Sequence, residues 1–123
     1  MKILFIDDEY ERYKAIEGPD ILWCDSPEKA ISALQNNSFD VVSFDHDLAG
    51  KKGTQVSYWI LEQNHIHNVQ FPFQGIVHSM NPVGAKHIMR DLVNASIKCR
   101  YMPFNANKWL AFVANLKTLK GKK

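Results

Sequence analysis

Apolar runs of four or five residues alternate along this chain with longer stretches in which apolar residues recur every three or four positions. The short runs, at residues 2–6, 21–24, 40–44, 73–77 and 98–102, read as buried strands. Between them the spacing predicts helices. The first runs from Glu9 to about Glu17 and stops at Gly18-Pro19. Ser26-Pro27 opens the second, with serine as N-cap and proline in the first turn, and Ala30, Ile31 and Leu34 form its apolar stripe. A polar loop at 49–53 precedes a third helix carrying Val56, Trp59, Ile60 and Leu61. Asn81-Pro82 repeats the cap-then-proline start, followed by Ala85, Ile88, Met89 and Leu92. The last helix shows Trp109, Phe112, Val113 and Leu116 on one face. Strands alternating with helices imply an α/β fold, a parallel sheet with crossover helices. With no repeat, linker or low-complexity segment, residues 1–123 read as one domain.

Composition changes this picture little. An apolar fraction of 46% with 23% charged residues is ordinary for a globular protein. No run approaches the roughly 20 apolar residues that cross a bilayer, and the apolar start meets Asp7-Asp8-Glu9 too soon for a secretory signal. The expected compartment is the cytoplasm. The formal charge of +2 comes with one basic cluster, the tail Lys117, Lys120, Lys122 and Lys123, which reads as a solvated end and not as a double-stranded nucleic-acid stripe. Cys24 and Cys99, far apart and without ligand spacing, read as buried thiols.

The chemistry gathers at strand ends. Right-handed crossovers bring the C-terminal ends of parallel strands to one edge of the sheet, where ligands bind. Asp7, Asp8 and Glu9 follow strand one, Asp45, His46 and Asp47 follow strand three, and His78 and Ser79 follow strand four. If strands one and three are neighbours, two acidic clusters face each other. Like charges that close repel unless a cation lies between them, and a hard divalent ion such as Mg²⁺ or Mn²⁺ takes oxygen ligands. His46 and His78 are candidates for proton transfer near neutral pH, whereas His65, His67 and His87 read as structural. The helix start at Asn81-Pro82 supplies free N–H groups for a phosphate. Lys51 and Lys52 read as solvated loop charges. Trp23, Trp59 and Tyr101 are candidates for stacking, each fitting a core role equally well.

These residues resemble the receiver fold of response regulators, with Asp7-Asp8, Asp45 and Ser79 at that family's positions for metal ligands, phosphoacceptor and switch hydroxyl. The resemblance implies a flavodoxin-like three-layer sandwich with a five-stranded parallel sheet in the order 2-1-3-4-5. Receivers carry a lysine before a proline after strand five; here Met102 precedes Pro103, which argues against phosphorelay signalling. A closer resemblance is to the cyclic-phosphate processing receiver domains. It is carried by Asp7, Asp8 and Arg12, by the run Ser43-Phe44-Asp45-His46-Asp47-Leu48, and by His78-Ser79-Met80-Asn81-Pro82-Val83-Gly84. It implies Asp7, Asp8 and Asp45 as metal ligands with Asp47 contributing its carbonyl, His46 and His78 as acid and base, and Ser79, Asn81 and Arg12 at the phosphate.

Two functions follow as expectations. One is a metal-dependent phosphoesterase opening a cyclic phosphate on a nucleotide, an RNA end or an ADP-ribose derivative. The alternative is a module without turnover, either a receiver phosphorylated on Asp45 or a sensor that binds a cyclic nucleotide or phosphate. The expected partner is thus a phosphate-containing small molecule or RNA terminus, with no membrane; the oligomeric state is not legible.

Overall fold

The computed structural model describes residues 1–121. Five parallel strands form the sheet: β1 (Ile3–Ile6), β2 (Ile21–Cys24), β3 (Val41–Phe44), β6 (Gln74–Val77) and β7 (Cys99–Tyr101). Their order is β2-β1-β3-β6-β7, the expected 2-1-3-4-5 once a small hairpin between the third and fourth is counted separately. Helices α1 (Tyr10–Ile16), α2 (Pro27–Asn36), α3 (Thr54–His67), α4 (Pro82–Asn94) and α5 (Ala106–Gly121) complete the chain.

Alternation of side chains across the strands divides the core in two. Leu4, Ile6, Val42, Phe44 and Val77 face α2, α3 and α4, where Ala30, Ile60, Ile88 and Leu92 meet them. Ile3, Phe5, Val41 and Ile76 face α1 and α5 and meet Ile16, Trp109 and Val113. Each such side chain, removed from water, contributes about 1.5–3 kcal/mol. Met102 packs into the second cluster as an apolar residue.

Both predicted caps form. Ser26 Oγ accepts from Lys29 N–H at 3.3 Å, and Asn81 Oδ1 accepts from Gly84 N–H at 3.1 Å. The expected polar loop after strand three is more ordered than its composition suggests. It is a hairpin of β4 (Asp47–Leu48) and β5 (Lys51–Lys52), whose turn residues Ala49 and Gly50 both have positive φ, 49° and 85°. That is the conformation a tight two-residue hairpin turn needs, and buried Leu48 anchors it. Lys51 pairs with Glu28 at 2.5 Å. Of the basic tail, Lys117 pairs with Asp20 at 3.3 Å; the Lys120 side chain, Lys122 and Lys123 lie outside what is described. Among the described residues, no helix is long and apolar enough to cross a membrane. Both cysteines are free, Cys24 buried and Cys99 partly so.

Candidate functional site

Strand register builds the site. Ile6 pairs with Phe44, and Phe44 with Val77, so the next residue of each strand falls in the same row: Asp7, Asp45 and His78. Backbone bonds hold that row, from Asp45 N–H to Ile6 C=O and from His78 N–H to Phe44 C=O, both 2.9 Å. All three side chains are buried. One ligating atom from each lies within 4.8 Å of the others, the grouping a metal ion would need.

Asp7 is the hub. Its Oδ1 accepts from Glu9 N–H at 2.8 Å, and its Oδ2 lies 2.9 Å from His78 Nε2. Arg12 reaches across from α1, with one guanidinium nitrogen 3.4 Å from both Asp7 Oδ2 and Asp45 Oδ2. Asp45 Oδ1 accepts from His46 N–H at 2.8 Å. The two carboxylates sit in unequal fields. Burial pushes the Asp7 carboxyl up, but the His78 hydrogen bond and charge, Glu9 N–H and Arg12 together hold it below its ordinary value. Asp45 is pushed up to about 6 by burial and by the charge of Asp7, against the smaller pull of His78, His46 N–H and Arg12.

His78 is walled in. Its ring stacks on Phe5, with centroids 4.6 Å apart and planes 10° apart. An ionised carboxylate only accepts, so Nε2 carries the proton toward Asp7. Nδ1 lies 2.7 Å from Ser43 Oγ, which accepts from Trp109 Nε1–H at 3.0 Å. Ser43 belongs to the row beneath, on the same face of the sheet as Phe5 and Ile76. His78 thus touches the site through Asp7.

His46 is differently placed. Its Nδ1 lies 3.0 Å from Asp47 Oδ1 and 3.4 Å from Asn81 Nδ2. Nε2 has no partner among the described residues. Since no buried side-chain nitrogen or oxygen there is left unsatisfied, Nε2 reaches solvent. The ring lies on the first turn of α4, where a Cβ at Gly84 would come within 2.2 Å of its Cγ. Glycine is required there, as at Gly53, whose Cβ would meet the Asp45 carbonyl at 2.0 Å.

The remaining predicted residues gather at the same edge with local duties. Ser79 is buried, and its Oγ accepts from Asn81 N–H at 3.0 Å. Asp8 Oδ2 accepts from Ala49 N–H at 2.9 Å and so anchors the hairpin turn. The Asp47 side chain is largely exposed and held by His46. Sequence reasoning missed Ser43 as the partner of His78, and Trp109 as the partner of Ser43. The available signal was a lone hydroxyl in an otherwise apolar strand, since a buried polar group needs a partner. It also missed that Trp23 Nε1–H donates to the Asp7 carbonyl at 2.6 Å.

Residues 2–94 match the cyclic-phosphate processing receiver domains. The chain belongs to this family. Its fold is that of receivers more broadly. A CheY-like response regulator receiver domain from Methanospirillum hungatei superposes with a TM-score of 0.62 at 18% identity, covering 98% of this chain and 96% of that one. The N-terminal domain of an uncharacterized protein from Wolinella succinogenes gives 0.68 at 13% identity, covering 100% and 98%. The receiver domain of the Francisella response regulator 1452 gives 0.61 at 17%, covering 97% and 98%. At these identities the likeness concerns fold. No curated protein matches the sequence.

Proposed function

We propose that this domain hydrolyses a cyclic phosphodiester, with His46 as the group that exchanges protons with the reacting water. The observation that carries the reading is the position of His46: a largely buried ring whose unpartnered Nε2 still touches solvent, seated on the N-terminal turn of α4, with its backbone tied to Asp45. The substrate is a cyclic phosphate on a nucleotide, an RNA end or an ADP-ribose derivative.

The donor set fits a divalent cation such as Mg²⁺ or Mn²⁺. Asp7 and Asp45 offer carboxylate oxygens, and two buried negative charges are offset by one guanidinium. Asp7 and Asp45 would hold the ion, with Asp8 and the Asp47 carbonyl at the same edge. Bound there, it would neutralise the pair and polarise a phosphoryl oxygen. His78, whose Nε2–H points at Asp7, is not among these donors.

His46 Nε2 takes a proton from the attacking water as the new P–O bond forms. The ribose oxygen that leaves when the ring P–O bond breaks needs a proton in return. Solvent water at the strand-end edge supplies it, while His78, whose Nε2 lies 2.9 Å from Asp7 Oδ2, keeps that carboxylate ionised and in place. Arg12 and the Asn81-capped start of α4 bind the phosphate oxygens, and Ser79 holds that turn in shape.

The test is a hydrolysis screen on nucleoside 2′,3′-cyclic phosphates with Mg²⁺, Mn²⁺ or chelator. His46→Ala is expected to lower turnover about 10²–10⁴-fold with the fold intact; full activity in that variant sinks the assignment. Asp45 at the end of β3 in a receiver fold favours a second reading, a phosphorylated module. A stable mass gain on Asp45 after exposure to acetyl phosphate, with no turnover in the screen, would select it.

A further inference from the structure

An aromatic ledge borders the carboxylate cluster on the β2 side. Tyr13 and Trp23 stack face to face, with centroids 4.9 Å apart and planes 8° apart. Tyr10 meets both at steep angles, 65° to Tyr13 and 66° to Trp23, and remains 49% exposed. Packing accounts for the stacked pair, which joins α1 to the edge strand and belongs to the core on that face. Tyr10 makes edge contacts with both rings, yet half of it remains in water and no aromatic among the described residues is stacked on its face.

Two hydrogen bonds set the ledge beside the site. Trp23 Nε1–H donates to the Asp7 carbonyl at 2.6 Å. Glu9, the residue before Tyr10, donates its N–H to Asp7 Oδ1 at 2.8 Å. Tyr10 therefore stands one residue from a group that binds the Asp7 carboxylate. At 100° per residue it projects from the opposite side of α1 to Arg12, which spans the two carboxylates. The other stacking candidates do not compete. Trp59 packs on Phe71 on the other face of the sheet, and Tyr101 lines a groove along α4.

Resting on the cyclic-phosphate reading above, we propose that Tyr10 stacks on the base of a nucleoside 2′,3′-cyclic phosphate. The substrate class is then a nucleotide, free or at an RNA 3′ end, and not a bare sugar phosphate. The phosphate lies toward Asp7, Asp45 and His46, and the base lies toward β2. Stacking tolerates any base, because every base offers a π face.

Isothermal titration with slowly cleaved cyclic phosphorothioates tests this in the presence of Mg²⁺. Adenosine 2′,3′-cyclic phosphorothioate is expected to bind about 10-fold or more tighter than the same ring on methyl riboside, which has no base. Tyr10→Ala should erase that difference and leave the abasic affinity unchanged, while Tyr10→Phe should keep it. Equal affinities in the wild-type chain overturn the role of Tyr10 and leave the cyclic-phosphate reading standing. Binding of neither compound overturns that reading, and this proposal with it. A trinucleotide ending in the same cyclic phosphorothioate separates the sources. If it binds with the same Tyr10 dependence, the ligand is an RNA end; if only the mononucleotide does, it is a free nucleotide.

Discussion

At the N-terminal ends of β1 and β3, polar groups pair in contact with water: Lys2 N–H donates to Asp40 Oδ2 at 2.8 Å, and Lys2 Nζ to Asn37 Oδ1 at 3.1 Å, both exposed. At the C-terminal ends of the same strands, Asp7 and Asp45 are almost wholly out of water and depend on His78, Arg12 and backbone N–H groups. The N-terminal end also holds a groove of about 880 Å³, lined by Met1, Asp40, Gln74 and Lys98 among others. The buried carboxylates lie at the opposite end of the sheet. Burying like charges together costs free energy that surface pairs do not, and a fold carries such a cost where the crowded charges have work to do.

The sharpest way to break this comparison is to cut one residue at each end. His78→Ala removes a stacked ring and strips partners from Asp7 and Ser43 at once; the expected loss is about 3–5 kcal/mol, read from urea midpoints. Lys2→Ala should stay within about 0.5 kcal/mol. Similar losses would mean that the buried end carries no special strain or support.

A second contrast lies within the buried end. The Asp7 carboxyl is held below its ordinary value, so it lends stability above the unfolded pKa, and that contribution is lost as pH falls through the folded one. Asp45 is raised to about 6, which is the reverse case. Its charge weakens the fold above pH 6, and protonation relieves this as pH falls from 6 toward 4. Stability should therefore rise on mild acidification and fall below about pH 4. Asp45→Asn is expected to stabilise the chain at pH 7 by on the order of 2 kcal/mol and to flatten that rise, while Asp7→Asn destabilises it. Thermal melts across pH 4–8 check both signs; a shift of the same sign for the two variants would contradict the unequal fields.

Among the losses expected at the site end of the sheet, the smallest belongs to the α4 cap. Asn81→Ala loses the bond to Gly84 N–H, and about 1 kcal/mol of stability with it.

The fold was readable because its signals are local. Period-two and period-3.6 patterns, Ser26-Pro27 and Asn81-Pro82 each act over a few residues, and each element appears where they point. Strand order was not local; it came from the family resemblance, since periodicity says nothing about which strands pair. The hairpin at 47–52 escaped because its turn rests on a positive φ at Ala49, a conformation that alanine rarely adopts. At the site, the row of Asp7, Asp45 and His78 followed from strand ends, but the division of labour between the histidines did not. It depends on Ser43 and Trp109, 66 positions apart in sequence and joined by one hydrogen bond. Arg12 shows the same limit: the family resemblance implied its place at the phosphate, but its span of both carboxylates required the tertiary structure.

The hydrogen bonds around Asp7 also give the domain an optical readout. Trp109 connects to this carboxylate through Ser43 and His78, and Trp23 binds its carbonyl directly, so two of the three indoles share one aspartate. The third, Trp59, sits against Phe71 across the sheet and, among the described residues, makes no hydrogen bond to that network. Any ligand that shifts Asp7 perturbs a buried emitter and a half-buried one together, with an internal standard beside them. Occupancy of the site can thus be followed in the unlabelled chain by its own ultraviolet emission.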